Sequence, residues 1–160
     1  MELFPGYCID TSALVDLWRR RYPPDVFPSL WKKIEDLLSQ GRLIAPREVL
    51  KDLEKYFDEN DELLKWTKKH KGFFEDFDEE QQKQVKNILA KFNNLIDEKK
   101  TTSESDPFVI ALAITKGWKV ITSEKPTSPG GKPKIPDVCD KYGIKCIPLL
   151  EFFREQKWYF

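Results

Sequence analysis

The chain is poor in the residues that most enzymes use for nucleophilic or zinc chemistry. It has one histidine, His70, and three cysteines, Cys8, Cys139 and Cys146, with no CxxC spacing. A lone histidine without a nearby cysteine pair argues against a structural zinc site and offers no obvious triad partner for a serine or cysteine. An odd, scattered set of cysteines argues against a disulfide framework, and Cys8 and Cys146 lie in apolar runs and read as buried thiols. There is no excess of either charge: Lys+Arg and Asp+Glu are both 27. No global field then draws the chain to nucleic acid, and any such binding must come from a local patch. No apolar run approaches the roughly 20 residues that cross a bilayer. The opening residues lack the basic stretch and apolar core of a signal peptide, so a cytoplasmic location and no membrane partner are expected. Neither GxGxxG nor GxxxxGK[ST] occurs, which disfavours dinucleotide and P-loop binding.

What is present suffices for one domain with a real core: 160 residues, 40% hydrophobic and 34% charged. Four short apolar runs read as strands, at 7–9, 43–46, 118–122 and 144–147. Helical periodicity is expected over 13–20, 28–40, 47–56, 62–69, 79–96 and 108–115, with short helices after Ile135 and after Pro148. Strands alternating with helices imply an α/β fold with a mostly parallel sheet covered by helices on both faces. No repeat or linker interrupts it. The chain reads as a single domain over 1–160 with a charged, helical insertion at about 57–100.

The stretch Tyr7-Cys8-Ile9-Asp10-Thr11-Ser12 organises the rest. An apolar strand stops on a carboxylate, and Asp10 falls at the carboxyl end of the strand, where open α/β sheets place their ligands. Acids recur at the other junctions: Glu48 and Asp52, one turn apart in the helix after the second strand, Asp106 opening the helix before the third, and Glu124 just after the third. In a parallel sheet these carboxyl ends share one edge. Clustered carboxylates repel and raise one another's pKa, and Mg²⁺ or Mn²⁺, which take hard oxygen ligands, would reverse that cost. Each acid also has an ordinary structural role open to it: Asp106 as an N-cap, Asp137 as a helix-start charge, Asp10 as a cap less well placed than Thr11 or Ser12. Arg19, Arg20 and Arg21, together with Lys125, Lys132 and Lys134, are candidate phosphate contacts.

These residues, in this order, resemble the PIN-domain ribonucleases. The resemblance rests on Cys8-Ile9-Asp10-Thr11-Ser12, on Ile44-Ala45-Pro46 followed by Val49-x-x-Asp52-Leu53, on the run from Asp106-Pro107 to Ala113, and on Val120-Ile121-Thr122-Ser123-Glu124. Arg21-Tyr22-Pro23 and Ile135-Pro136-Asp137-Val138-Cys139 resemble a prokaryotic PIN-like subgroup of toxin–antitoxin type. The resemblance implies a three-layer sandwich with four to five strands. It also implies an endoribonuclease that holds Mg²⁺ or Mn²⁺ on three or four acids and cleaves RNA with an activated water. Carried across, the metal acids are Asp10, Asp52, Asp106 and Glu124. Asp52 stands where the family usually has Glu, so Glu48 one turn earlier is a second candidate, and Glu124 stands where the family usually has Asp. Thr11, Ser12 and Thr122 would orient the acids, with Asp137 supporting. The implied partners are an RNA substrate, a cognate antitoxin protein and a second copy of the chain. The alternative is a catalytically inactive PIN-like module that binds RNA or protein. Haloacid-dehalogenase-like phosphatases fit less well, because Ser12 replaces the second Asp they require, and no response-regulator pattern is clear.

Overall fold

A computed structural model describes residues 5–92 and 104–160. The far end of the helix expected to reach Ile96, including Leu95, and the loop residues 101–103 lie outside the described residues. Five strands form one sheet: β1 (Tyr7–Ile9), β2 (Leu43–Pro46), β3 (Phe74–Glu75), β4 (Lys119–Ile121) and β5 (Cys146–Ile147). Their order is β3-β2-β1-β4-β5, and every pairing is parallel. Cys8 lies opposite Ile44 on one side and Val120 on the other. Parallel neighbours need long crossovers, which helices supply. Those helices are α1 (Thr11–Val15), α2 (Pro28–Ser39), α3 (Arg47–Tyr56), α4 (Glu62–Lys69), α5 (Glu79–Lys91), α6 (Asp106–Lys116), α7 (Ile135–Lys141) and α8 (Leu149–Glu155). All residues of β1 and β2 are buried, as expected for strands covered on both faces of a three-layer α/β sandwich.

Strand β3 was not expected from sequence. Phe74 and Glu75 pair with Ala45 and Pro46 and extend the sheet at one edge, within the charged stretch read as helical. Two residues are too few to show the alternation that marks a strand. Their place is set by Phe73 and Phe74, both buried in the core.

Helix α6 is the central support. Val109 to Ala113 are all buried and fully enclosed, so this helix is apolar all round, as an interior helix must be. It packs on β1, β2 and β4 and lies against α5 and α7. Gly117, at φ 71°, takes the left-handed conformation that ends it and sends the chain directly into β4. Helix α1 widens into a π-helical segment, Asp16–Arg21, where the Tyr22 N–H bonds the Leu17 carbonyl at 3.1 Å, five residues back. On the flank, Trp18, Trp31 and Trp66 meet edge-on or tilted with ring centroids 4.8–5.8 Å apart, the offset geometries that aromatic rings favour.

Candidate functional site

From β1 the chain steps outward to β2 and β3, then returns across β1 to β4 and β5. The order therefore reverses between β1 and β4. At such a switch point the connections leave in opposite directions and open a crevice at the carboxyl edge. Asp10 follows β1 there, Thr122 and Glu124 follow β4, and α6 begins with Asp106.

Three of the expected acids converge. One carboxylate oxygen from each of Asp10, Asp106 and Glu124 lies within 4.8 Å of the other two. Asp10 is 1% exposed and Asp106 is buried. Asp10 is held on both oxygens: Oδ1 accepts from the Ala13 N–H at 2.8 Å and Oδ2 from Thr122 Oγ1 at 2.6 Å, while Ser12 Oγ reaches both at 2.8–2.9 Å. Asp10 itself is thus the N-cap of α1, a position the sequence offers more readily to Thr11 or Ser12. Conversely, Asp106 is not a cap. It is the first residue of α6, with Ser105 at the cap position and Pro107 suited to the first turn.

Burial pushes the Asp10 carboxyl up to about 7. Hydrogen bonds from Thr122, Ala13 and Ser12 work against that rise, and the Glu124 charge adds to it. Glu124 is anchored at two points: Oε2 accepts the Ile135 N–H at 3.0 Å, and its own N–H donates to Thr122 Oγ1 at 3.1 Å. The Ser123 N–H donates to Ser12 Oγ at 3.2 Å, which ties the β4 loop to the start of α1.

Asp52 and Glu48 fall outside the three-carboxylate set. Asp52 is nonetheless beside it and 4% exposed: Thr11, next to Asp10, donates from Oγ1 to Asp52 Oδ2 at 2.8 Å and contacts Ser105 Oγ at 3.2 Å. The Tyr56 phenol reports the same neighbourhood, its pKa raised by burial first and then by Asp52, Glu104 and Asp106. Glu48 is half-buried, and its Oε1 is enclosed without a hydrogen-bond partner among the described residues. Burial raises its pKa, and the charge of Asp52 raises it further.

The remaining expected residues are dispersed. Asp137 accepts the Lys134 N–H at 2.8 Å and the Thr127 N–H at 3.1 Å, so it braces the start of α7 and the loop before it. Arg19 pairs with Asp61 and stacks on Phe57, its guanidinium 4.0 Å from the ring centroid. Arg20 pairs with Asp16 at 3.2 Å and Arg21 approaches the same carboxylate at 4.0 Å. Lys125, Lys132 and Lys134 are exposed on the loop that follows the acids. Two features had escaped the sequence reading. Ser105 is fully buried between Thr11 and α6, where only its place one residue before Asp106 could have drawn notice. A cavity of about 440 Å³ opens beside Glu124, lined in part by Asp16 and Arg154, which belong to no motif, and by Tyr22 of the Arg21-Tyr22-Pro23 segment.

Residues 7–160, nearly the whole chain, match the family described as Domain of unknown function (DUF4411). The chain belongs to the DUF4411 family. No curated protein matches it. In this DUF4411 chain the matched region spans β1 to α8 and so includes every acid of the site. Among the described residues, no helix of it is long and apolar enough to cross a membrane.

Proposed function

We propose that this DUF4411 protein is a PIN-like, metal-dependent endoribonuclease and the toxin of a toxin–antitoxin pair. The observation that carries the reading is the meeting of Asp10, Asp106 and Glu124 within 4.8 Å at the switch point. The donor set fits Mg²⁺ or Mn²⁺, because three carboxylates are hard oxygen ligands and leave positions for water and a phosphate oxygen. Asp10, Asp106 and Glu124 would hold the ion, with Asp52 beside them. When bound, such an ion supplies Lewis-acid polarisation of the phosphate and an activated water.

The chain's own residues do the positioning. Ser12 and Thr122 fix both Asp10 oxygens, and the N-terminal amide of α7 at Ile135 fixes one Glu124 oxygen. Thr11 bridges Asp52 and Ser105, which couples the start of α1 to α3 and to the approach to α6. The buried carboxylates face one another at close range, which disfavours their charged forms unless a cation joins them. In this reading the substrate is RNA, the protein partners are a cognate antitoxin and a second copy of the chain, and the compartment is the cytoplasm.

Asp10→Asn tests the mechanism. It should abolish Mn²⁺-dependent cleavage of RNA while leaving the metal-free fold as stable as wild type, or more so. Full cleavage by that variant, or by wild type in chelator, would sink the reading. A second reading is a catalytically inactive PIN-like module that binds RNA or protein. It is favoured by Asp52 and Glu48 standing outside the three-carboxylate set. Metal titration separates the two: an inactive module gains no stability from millimolar Mn²⁺.

A further inference from the structure

We propose that the cavity beside β4 and β5 seats one unpaired nucleotide of the RNA, next to the phosphodiester held at the acids, with Arg21 and Arg154 on its flanking phosphate. This rests on the ribonuclease reading and adds to it a nucleotide subsite and the residues that form it.

Place, size and chemistry agree. The cavity shares Thr122 and Glu124 with the acid site, so its occupant is contiguous with whatever the acids hold. Its volume of about 440 Å³ falls in the range of small-ligand sites. One wall is apolar, from Pro126, Pro136, Ile147 and Leu149, and the Tyr22 ring also lines it. A base has two apolar faces, and aromatic and apolar walls accept them without regard to sequence. At the rim stand the cations Arg21, Lys125 and Arg154. The anions lining it are Asp16, which Arg21 approaches at 4.0 Å, and Glu124, while Glu151 beside it pairs with Arg154 at 3.8 Å.

The π-helical segment explains how Arg21 arrives. Asp16 and Arg21 are five residues apart, and both line the cavity. In an α-helix, residues three and four apart share a face and a fifth turns away. A segment bonded i to i+5 brings the fifth residue round to the same side, and π-helical turns of this kind recur at functional sites. A paired, stacked base cannot enter such a cavity, whereas a splayed base of a single strand can.

The test is equilibrium binding in chelator, so that cleavage plays no part. A labelled, short, mixed-sequence single-stranded RNA is titrated by fluorescence anisotropy against wild type and the double variant Arg21→Ala/Arg154→Ala. Both arginines are largely exposed on their side chains, and melting temperatures verify that the variant folds. The double variant should bind at least tenfold more weakly, with a salt dependence shallower by roughly two phosphate contacts. The same RNA as a duplex, and a single strand of abasic sites, should each bind at least tenfold more weakly than the intact strand. The inference is overturned if the double variant binds within twofold of wild type, if duplex or abasic strand binds as tightly as the intact strand, or if wild type binds no RNA. Arginine-dependent binding without metal-dependent cleavage would leave the cavity's role standing and refute the nuclease reading alone.

Discussion

Asp10 carries two demands at once. It caps α1 through Ala13, which alone would account for an acid at this point, and it also faces Asp106 and Glu124 in near-complete burial. Its carboxyl keeps its proton up to about pH 7 in the folded chain, against 3.8 for an ordinary Asp. Between those pH values the folded state binds more protons than the unfolded one, so raising the pH across the window lowers this group's contribution to stability. Asp10→Asn has no proton to lose. In chelator its advantage over wild type should widen from about pH 4 to pH 7 and then level off, by an amount on the order of 4 kcal/mol. Urea denaturation across that range checks this, and a difference flat with pH would contradict it. Thr122→Val removes the 2.6 Å donor to Asp10 and the acceptor for the Glu124 N–H. Cleavage should fall by roughly 10–100-fold. The acid limb of the pH–rate profile should move upward, since the lost hydrogen bond had favoured the ionised carboxylate. The three arginines part company at this scale too. Arg19 is engaged by Asp61 and Phe57, whereas Arg21 stands at the cavity. Arg19→Ala should lower stability slightly and leave RNA affinity unchanged in the binding assay.

Among the elements, α6 decides whether the site exists, because it presents Asp106 while burying itself against β1, β2 and β4. Ile110→Ala, at a fully buried position on that helix, should cost about 2–5 kcal/mol in a denaturant titration. At temperatures where the variant remains folded, metal affinity should weaken, because the cavity left behind lets the helix shift. This helix was plain in the sequence, since a long apolar run before a glycine and a strand has few other readings. Strand β3 was not, because two residues carry no period and only the neighbouring β2 edge makes Phe74 and Glu75 a strand. The π-helical segment was likewise invisible: 13–20 reads as one helix, and a six-residue change to i, i+5 bonding leaves no period of its own.

At the scale of the molecule, the parallel sheet with its order reversed between β1 and β4 is what turns scattered acids into one site. If the site takes Mn²⁺, the ion should stabilise the fold by mass action, about 2.7 kcal/mol at a hundred times Kd. For a chain of this size that corresponds to a rise in Tm of roughly 5–10 °C. Asp10→Asn should not show the rise, and a wild-type Tm indifferent to millimolar Mn²⁺ would favour the inactive module. With equal numbers of acidic and basic side chains, any hold on RNA comes from the cations at the cavity rim and the adjoining loop rather than from the field of the whole protein.

By itself the sequence determined the alternation of strands and helices, the interior helix, and the presence of Asp10, Asp106 and Glu124 at the ends that a parallel sheet brings to one edge. Those features are local: they depend on the period of apolar residues and on where an apolar run stops. Only the tertiary structure decided which acids meet, that Asp52 is held by Thr11 at the side of the set, that Glu48 keeps a buried oxygen without a partner among the described residues, and that a cavity opens beside Glu124. Those outcomes depend on strand order and on helix phase against the sheet, both set by contacts between residues far apart in the chain.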